Sequence, residues 1–154
     1  MHQNFIAMKI KSTIMALLCA IFLTGCCSTC RHHQKNALPL TGTTWHLVQL
    51  EGRDLTLPVE QFNITLAADG SLAGVGACNR LLGQYTTTES LGISFGQVGT
   101  TMMLCPENEE LEAKFTQLLG AITHYDIDLD TLILLQEGTI KALLKAAPQT
   151  TSAE

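Results

Sequence analysis

Residues 62–74, which read FNITLAADGSLAG, decide the fold class of this chain. Apolar and polar side chains alternate through residues 62–66, and a period of two places the apolar ones on a single face of a strand. The pair Asp69-Gly70 follows, and both residue types tolerate the positive φ that a tight hairpin turn requires. The stretch therefore predicts a β-hairpin whose return strand is residues 71–74.

Similar patterns elsewhere predict a meander of short strands. Further strands are predicted at residues 43–50, 84–88, 91–97, 124–127, 132–136 and 139–144. Gly138 and the cluster at residues 128–130 are predicted to be turns between the last three strands. The length of 154 residues suits one domain, and a hydrophobic content of 46% is ordinary for a globular protein. We therefore expect one folded, mainly β domain.

One segment has the 3.6-residue period of an amphipathic helix. Its apolar stripe consists of Leu111, Phe115, Leu118, Leu119 and Ile122. Pro106 suits the first helical position, where its missing N–H is no loss. The first turns carry favourable charges for the positive end of the helix dipole, at Glu107, Glu109, Glu110 and Glu112. We interpret these glutamates as structural, and the fold class as mainly β with one α-helix (α+β).

The start of the chain has the charge order of a secretory signal. Lys9 and Lys11 stand before an apolar run at residues 14–23, which is well short of the roughly 20 residues that cross a bilayer. The run ends in LTGC, which resembles the bacterial lipobox and implies a lipid on its cysteine, Cys26. Residues 1–25 are therefore predicted to be a lipoprotein signal peptide, and the lipid to anchor the chain to a membrane. A plain cleaved signal with a chance cysteine, or a buried apolar helix, is the alternative.

Residues 26–40 are polar and lack periodicity, so we predict a flexible tether between the lipid and the domain. Cys27 and Cys30 form a C-x-x-C motif there, followed by two histidines, which could hold a metal, form a disulfide or occur by chance. A structural zinc site needs four ligands on folded elements, so no metal site is predicted. The folded domain is predicted at residues 41–147, and a disordered tail at 148–154.

The mature chain is predicted to be acidic. Removal of the signal peptide takes Lys9 and Lys11 from nine basic residues, which leaves seven against fourteen acidic ones and a formal charge of −7. The seven are scattered, whereas phosphate binding needs clustered basic side chains. We therefore expect no nucleic-acid partner.

Residues 74–85 read GVGACNRLLGQY and contain the most specific motif in the chain. They resemble the signature of the META domain family, which contains the heat-shock-associated HslJ lipoproteins: a glycine-rich approach to Gly-Cys-Asn, then Gly-x-Tyr. A second block, TMMLC at residues 101–105, is similar to the family's Thr-x-Met-x-Cys, and Glu112 and Phe115 lie near where the family has a Glu and a Phe. The motif residues of this chain are Trp45, Gly74, Gly76, Asn79, Gly83, Tyr85, Thr101 and Met103.

The resemblance covers roughly residues 40–146 and implies a small curled antiparallel sheet, or barrel-like domain, with one helix. Ala77 stands where the family usually has glycine, which raises the question of whether this position needs a positive φ. Met102 stands where arginine is frequent. We interpret the three glycines of residues 74–85 as allowing sharp turns, because a dinucleotide-binding loop would need a following helix and a later acidic residue.

Cys78 and Cys105 lie one in each motif block, and an exported chain meets an oxidising compartment where unpaired thiols are uncommon. We predict that they form a structural disulfide. The alternative is a catalytic cysteine with His46 or His124 as its base. No Cys/His signature surrounds either histidine, and the alternation predicts that His46 faces away from Trp45.

We expect a noncatalytic lipoprotein of the cell envelope, without a cofactor, because no catalytic motif appears. The resemblance implies a role in heat shock, antibiotic tolerance or envelope function, and a fold similar to that of secretin pilot lipoproteins. The expected partner is an unidentified envelope protein. The runner-up is a small-molecule or lipid-binding module whose sheet encloses an apolar cavity. Because residue 27 is not aspartate, analogy with sorting in enteric bacteria predicts the outer membrane, facing the periplasm.

Overall fold

The computed structural model of the protein describes residues 36–104 and 106–148. This part of the chain contains ten strands and one helix, so the protein is mainly β with a single helix, as predicted. The elements are β1 Thr44–Leu50, β2 Arg53–Asp54, β3 Asn63–Leu66, β4 Ser71–Val75, β5 Arg80–Thr87, β6 Ile93–Phe95, β7 Gly99–Thr100, α1 Glu109–Leu119, β8 His124–Asp128, β9 Thr131–Gln136 and β10 Thr139–Ala146.

The strands form one sheet that curls round on itself. Its order is β6-β5-β4-β3-β1-β10-β9-β8, and the short strands β2 and β7 pair with β1 and β5. The two ends of this order meet: the Ile93 N–H donates to the Thr123 carbonyl at 3.0 Å. The Tyr125 N–H donates to the Leu91 carbonyl, also at 3.0 Å. These contacts nearly close the sheet, which confirms the barrel-like form that was predicted.

A β-bulge in β1 keeps its apolar side chains on the buried face. The pairing of β1 with β10 shifts between Leu47 and Gln49, so Val48 is an extra residue in the ladder. As a result Leu50, three residues after Leu47, is also buried. A strict period of two would have pointed Leu50 to the opposite face.

Large apolar side chains fill the interior of the barrel, which is therefore a packed core. The fully buried ones are Trp45, Leu47, Phe62, Ile64, Leu66, Leu72, Leu81, Phe115, Leu119, Leu132, Leu134 and Leu144.

The helix packs against the barrel through Phe115, Leu118 and Leu119, three residues of the predicted stripe. The Phe115 ring meets the Phe62 ring edge to face, with the centroids 6.2 Å apart and the planes at 64°. Ile122 is also buried, although it lies beyond the end of the helix. One apolar cluster therefore joins the helix to the sheet.

The helix begins later than predicted. Asn108, which precedes its first residue, has a left-handed backbone with φ 66°, and its side chain does not cap the helix. Pro106 and Glu107 therefore lie outside the helix, and the prediction that Pro106 occupies its first position was wrong. Glu109, Glu110 and Glu112 do lie in the first turn, where they favour the helix dipole.

The predicted hairpin is confirmed as β3 and β4, with Gly70 at φ 85° in the turn. The Asp69 carboxylate accepts hydrogen bonds from the Ser71 hydroxyl at 2.6 Å and the Ser71 N–H at 2.9 Å. The hydroxyl contact is the main reason that the pKa of Asp69 lies below its ordinary value. Gly138 also has a positive φ, 80°, in the turn between β9 and β10.

Two strands differ most from the prediction. The strand predicted at residues 84–88 starts earlier than expected, because β5 begins at Arg80 and pairs with β4 along its first half. The strand predicted at residues 91–97 is shortened to β6, Ile93–Phe95, because Leu91 has φ 61° and interrupts the extended backbone. The two-residue strands β2 and β7 were not predicted.

The folded domain starts earlier than residue 41. The Leu38 N–H donates to the Leu129 carbonyl at 2.8 Å, and the Leu40 carbonyl accepts the indole N–H of Trp45 at 3.0 Å. Residues 38–40 therefore belong to the domain rather than to the predicted tether. At the other end, the Ala147 N–H donates to Thr44 at 2.8 Å.

Several predictions concern residues that lie outside the described ranges. They are the signal peptide, the lipidated Cys26, the C-x-x-C motif, Cys105 and residues 149–154. Within the described ranges, no helix has the length and apolar character needed to span a membrane.

Candidate functional site

The Asn79 side chain joins the two motif blocks. Its Oδ1 accepts hydrogen bonds from the Thr101 hydroxyl at 2.9 Å and the Met103 N–H at 2.7 Å. Its Nδ2 donates to the Met103 carbonyl at 3.3 Å and to Glu112 Oε1 at 2.7 Å. The Thr101 hydroxyl also accepts the Arg80 N–H at 3.0 Å. Asn79 is buried, so it holds the second block and the helix together from within the fold.

Glu112 completes this arrangement from the helix. Its Oε2 accepts the Ala77 N–H at 2.6 Å, and the N–H groups of Cys78 and Asn79 lie farther away, at 3.4 Å each. A turn of consecutive backbone N–H groups is a known cradle for an anionic oxygen. Among the described residues, the Glu112 carboxylate is therefore stabilised by N–H groups rather than by a cation. We call Asn79, Thr101 and Glu112 the polar brace.

The role of Glu112 was only partly anticipated. All four glutamates were interpreted as structural, and their assigned effect was on the helix dipole. Glu110 fits that description: it is exposed and pairs with Lys114 at 2.6 Å, and this contact lowers the pKa of Glu110. Glu112 instead contacts a loop 35 residues earlier in the chain. In the sequence, only the resemblance of Glu112 to the family's Glu position indicated that this residue differs from the other glutamates.

The motif glycines do not share one role: Gly74 and Gly83 lie within strands, contrary to the predicted sharp turns, whereas Gly76 does begin the bend between β4 and β5. Neither Gly74 nor Gly76 has a positive φ. A Cβ at Gly74 would lie 2.2 Å from the Asn63 carbonyl oxygen of β3, and a Cβ at Gly76 would lie 2.5 Å from Glu112 Oε2. Close approach of backbone and side chain therefore requires glycine at both positions. Gly83 lies within β5, where a Cβ would make only ordinary contacts, the nearest at 3.4 Å.

Ala77 occupies a position that does not need glycine. Its φ is not positive, its side chain is buried, and its N–H makes the shortest contact with Glu112. The departure from the family pattern is therefore compatible with the brace.

Trp45 and Tyr85 use their polar atoms inside the domain. Trp45 is fully buried and donates to Leu40, as described above. The Tyr85 hydroxyl donates to the Ala67 carbonyl at 2.7 Å. Burial, followed by the nearby Asp69 charge, raises the pKa of Tyr85.

Cys78 is disulfide-bonded. It is the only cysteine among the described residues, and the pairing with Cys105 stays a prediction. The contacts between Asn79 and Met103 bring the second block beside Cys78, which agrees with that pairing. A disulfide sulfur is not a thiolate nucleophile, so this state of Cys78 gives no support to the catalytic alternative.

The two histidines considered as bases lie in different settings. His46 is buried, and its Nδ1 lies 3.1 Å from the Gln61 carbonyl. His124 is exposed on β8, and its Nδ1 lies 3.0 Å from the Thr123 hydroxyl. Among residues 36–104 and 106–148, no group of three or more His, Cys, Asp or Glu side chains could hold a metal ion.

The loop that follows Thr101 exposes three large apolar side chains. Met102 is 97% exposed, Met103 62% and Leu104 95%. They form one wall of a groove of about 540 Å³, and the other wall is α1, at Glu109, Ala113 and Gln117. We call this depression the methionine groove. Large exposed apolar patches often mark sites where another protein binds.

A second groove, of about 570 Å³, lies between the end of β1 and the other side of the helix. Its lining mixes both charge signs, with Glu51, Arg53, Glu110 and Lys114. Glu110 and Lys114 already satisfy each other. This groove presents no apolar wall comparable to residues 102–104.

Replacing Glu112 with alanine is expected to lower the free energy of unfolding by about 2 to 3 kcal/mol, because two short charge-assisted hydrogen bonds are lost and the Ala77 N–H loses its acceptor. Glu112→Gln keeps one acceptor oxygen and should show about half of this effect. Urea unfolding, followed by the fluorescence of the single tryptophan, Trp45, measures both. Glu110→Ala is the control on the same helix and should have a far smaller effect, because it removes only an exposed ion pair and one charge near the helix dipole. Equal behaviour of the Glu112→Ala and Glu110→Ala variants would rule out the brace as a source of stability.

Comparison with known proteins agrees with the fold described above. The family model of the META domain matches residues 38–148. The fold is similar to an NMR structure of a protein from Burkholderia xenovorans, with a TM-score of 0.57 and 22% identity, covering 71% of this chain and 85% of that one. It is also similar to the crystal structure of a DUF4847 family protein from Bacteroides vulgatus, with a TM-score of 0.53 and 18% identity, covering 70% and 93% of the two chains. No curated protein matches the chain.

Proposed function

This chain belongs to the META domain family, and from that premise we propose that it is a noncatalytic lipoprotein of the bacterial cell envelope. Its domain binds an envelope protein and supports the envelope under stress. The lipid on Cys26 holds the chain to a membrane, and the domain carries the binding surface.

The observation that carries this proposal is the exposed apolar loop at residues 102–104. Met102 and Leu104 are almost completely exposed, yet the backbone of the intervening Met103 is held by Asn79 through both its N–H and its carbonyl. A loop that is already ordered loses little conformational freedom on binding, so its apolar side chains contribute more of their burial energy to affinity. Such a loop suits recognition of another protein.

The use of the polar side chains favours binding over catalysis. The side chains of the polar brace form hydrogen bonds with one another and with the backbone. A catalytic set needs polar groups that converge on open space where a substrate can lie. The polar brace lines part of the methionine groove, but its hydrogen bonds are made within the protein.

The packed interior gives no support to the runner-up, a ligand-binding barrel. Trp45, Phe62 and Phe115 fill the space in which an apolar ligand would lie. No other feature of the described residues favours a small-molecule site over a protein-binding surface.

Metabolic labelling with a fatty acid, coupled to chemical crosslinking in intact cells, tests the proposal. We expect the wild-type chain to incorporate label and to form a crosslinked adduct with an envelope protein, in the outer-membrane fraction. Cys26→Ala should lose the label and leave the membrane, because without its lipid the chain has no anchor.

Cys27→Ala is the matched control, since it removes the neighbouring thiol and should keep both the label and the membrane association. Label retained by Cys26→Ala would refute the lipid anchor. A labelled wild-type chain that forms no adduct with any envelope protein would refute the binding role.

A further inference from the structure

We propose that the methionine groove binds a segment of the partner protein in which apolar side chains are flanked by lysine or arginine. The inference rests on the proposed function and adds to it the place of binding and the chemistry of the bound segment.

The apolar character of that segment follows from the wall of the groove. Met102, Met103 and Leu104 present consecutive apolar side chains, and thioether side chains adapt readily to the shape of an apolar partner. A depression of about 540 Å³ has room for several side chains. Residues that enter it would cover surface that otherwise faces water.

The basic character follows from the facing wall. Glu109 and Glu112 line the groove, and no lysine, arginine or histidine does so in the described part of the chain. Both carboxylate oxygens of Glu112 accept hydrogen bonds from N–H groups within the domain, so the exposed Glu109 is the acid that a partner can contact. Lys114 lines the second groove instead, where it pairs with Glu110. Charge complementarity therefore favours a basic partner.

The same charges disfavour two other occupants. A second copy of this chain, joined through the same surface, would bring the acidic wall of both copies into one interface, and like charges brought together there are costly. An anionic membrane surface would repel Glu109 in the same way. A basic, apolar protein segment has neither difficulty.

The test uses the full-length chain in living cells, with the photo-crosslinking amino acid p-benzoylphenylalanine in place of Met102 or Leu104. Leu129 and Ile140 are control positions, because both are apolar and about half exposed but do not line the groove. We expect adducts at positions 102 and 104 that exceed those at the controls about fivefold or more. Mass spectrometry should map them to a partner peptide with apolar residues beside lysine or arginine.

Charge reversal tests the electrostatic half of the inference. Glu109→Lys should reduce the adduct at position 104 about fivefold, whereas Glu89→Lys, at an exposed acid outside the groove, should leave it unchanged. Glu109→Gln should give an intermediate loss. Unfolding of each variant, followed by Trp45 fluorescence, verifies that the domain is intact.

Several outcomes would overturn the inference and identify its failing part. Adducts with lipid, with a second copy of the chain or with an acidic segment would give the groove a different occupant. Adducts concentrated at Leu129 or Ile140 would keep the proposed protein partner but move its site. Absence of adducts at all four positions, together with no chemically crosslinked envelope protein, would reject the proposed function itself.

Discussion

Replacing Phe115 with alanine is expected to lower the free energy of unfolding by about 4 kcal/mol. The side chain is fully buried, and its ring packs edge to face against Phe62 in the barrel. Its loss removes the transfer energy of a phenyl ring and leaves a cavity that the surrounding strands fill only in part. Urea unfolding followed by the fluorescence of the buried Trp45 gives the measurement.

Two variants calibrate this result. Phe115→Leu keeps much of the volume and should cost roughly 1 to 1.5 kcal/mol. Gln117→Ala changes an exposed position on the same helix and should have no measurable effect. A Phe115→Ala protein within 1 kcal/mol of the wild type would mean that the helix does not depend on this contact with the barrel.

Removing the disulfide of Cys78 is expected to cost about 3 to 4 kcal/mol, if its partner is Cys105 as predicted. The bond would close a loop of about 27 residues, and the chain-entropy model relates that length to this loss of stability. Reduction by dithiothreitol should lower the urea midpoint. The double variant Cys78→Ser with Cys105→Ser should lower it equally.

Nonreducing peptide mapping tests the pairing itself and should recover a linked peptide that contains both cysteines. The double variant Cys27→Ala with Cys30→Ala is the control, because both residues are predicted to lie in the tether and should not affect unfolding of the domain. A peptide that links Cys78 to any other cysteine would overturn the assignment, even if reduction destabilises the protein.

The Phe115 contact and the Cys78 disulfide lie in neighbouring parts of the structure, which the polar brace joins. Phe115 holds the helix to the barrel, and the same helix carries Glu112 to the turn that contains Cys78. Asn79, the next residue, then holds the exposed loop at Met103. Stability of the helix contact and the position of the exposed loop at residues 102–104 are therefore expected to be coupled, because the polar brace lies between them.

The sequence predicted well what depends on neighbouring residues. The alternation in residues 62–66 and the Asp69-Gly70 pair led to the correct hairpin, and the helical stripe led to the correct helix face. Two of the errors lie where single residues take unusual backbone angles. Leu91 and Asn108 have a positive φ, which nothing in their residue types requires, and each shortens an element that the pattern extended.

Contacts between residues that are distant in the chain could not be predicted from the local sequence pattern. Glu112 and Ala77 are 35 positions apart, and their hydrogen bond exists only because the helix packs against the turn after β4. Gly76 is glycine because that carboxylate lies where its Cβ would be. By itself the sequence determined the strand pattern, the single helix, the family and the predicted lipid signal. Only the tertiary structure decided the polar brace and the exposed methionine groove, because both depend on which surfaces meet when the barrel closes.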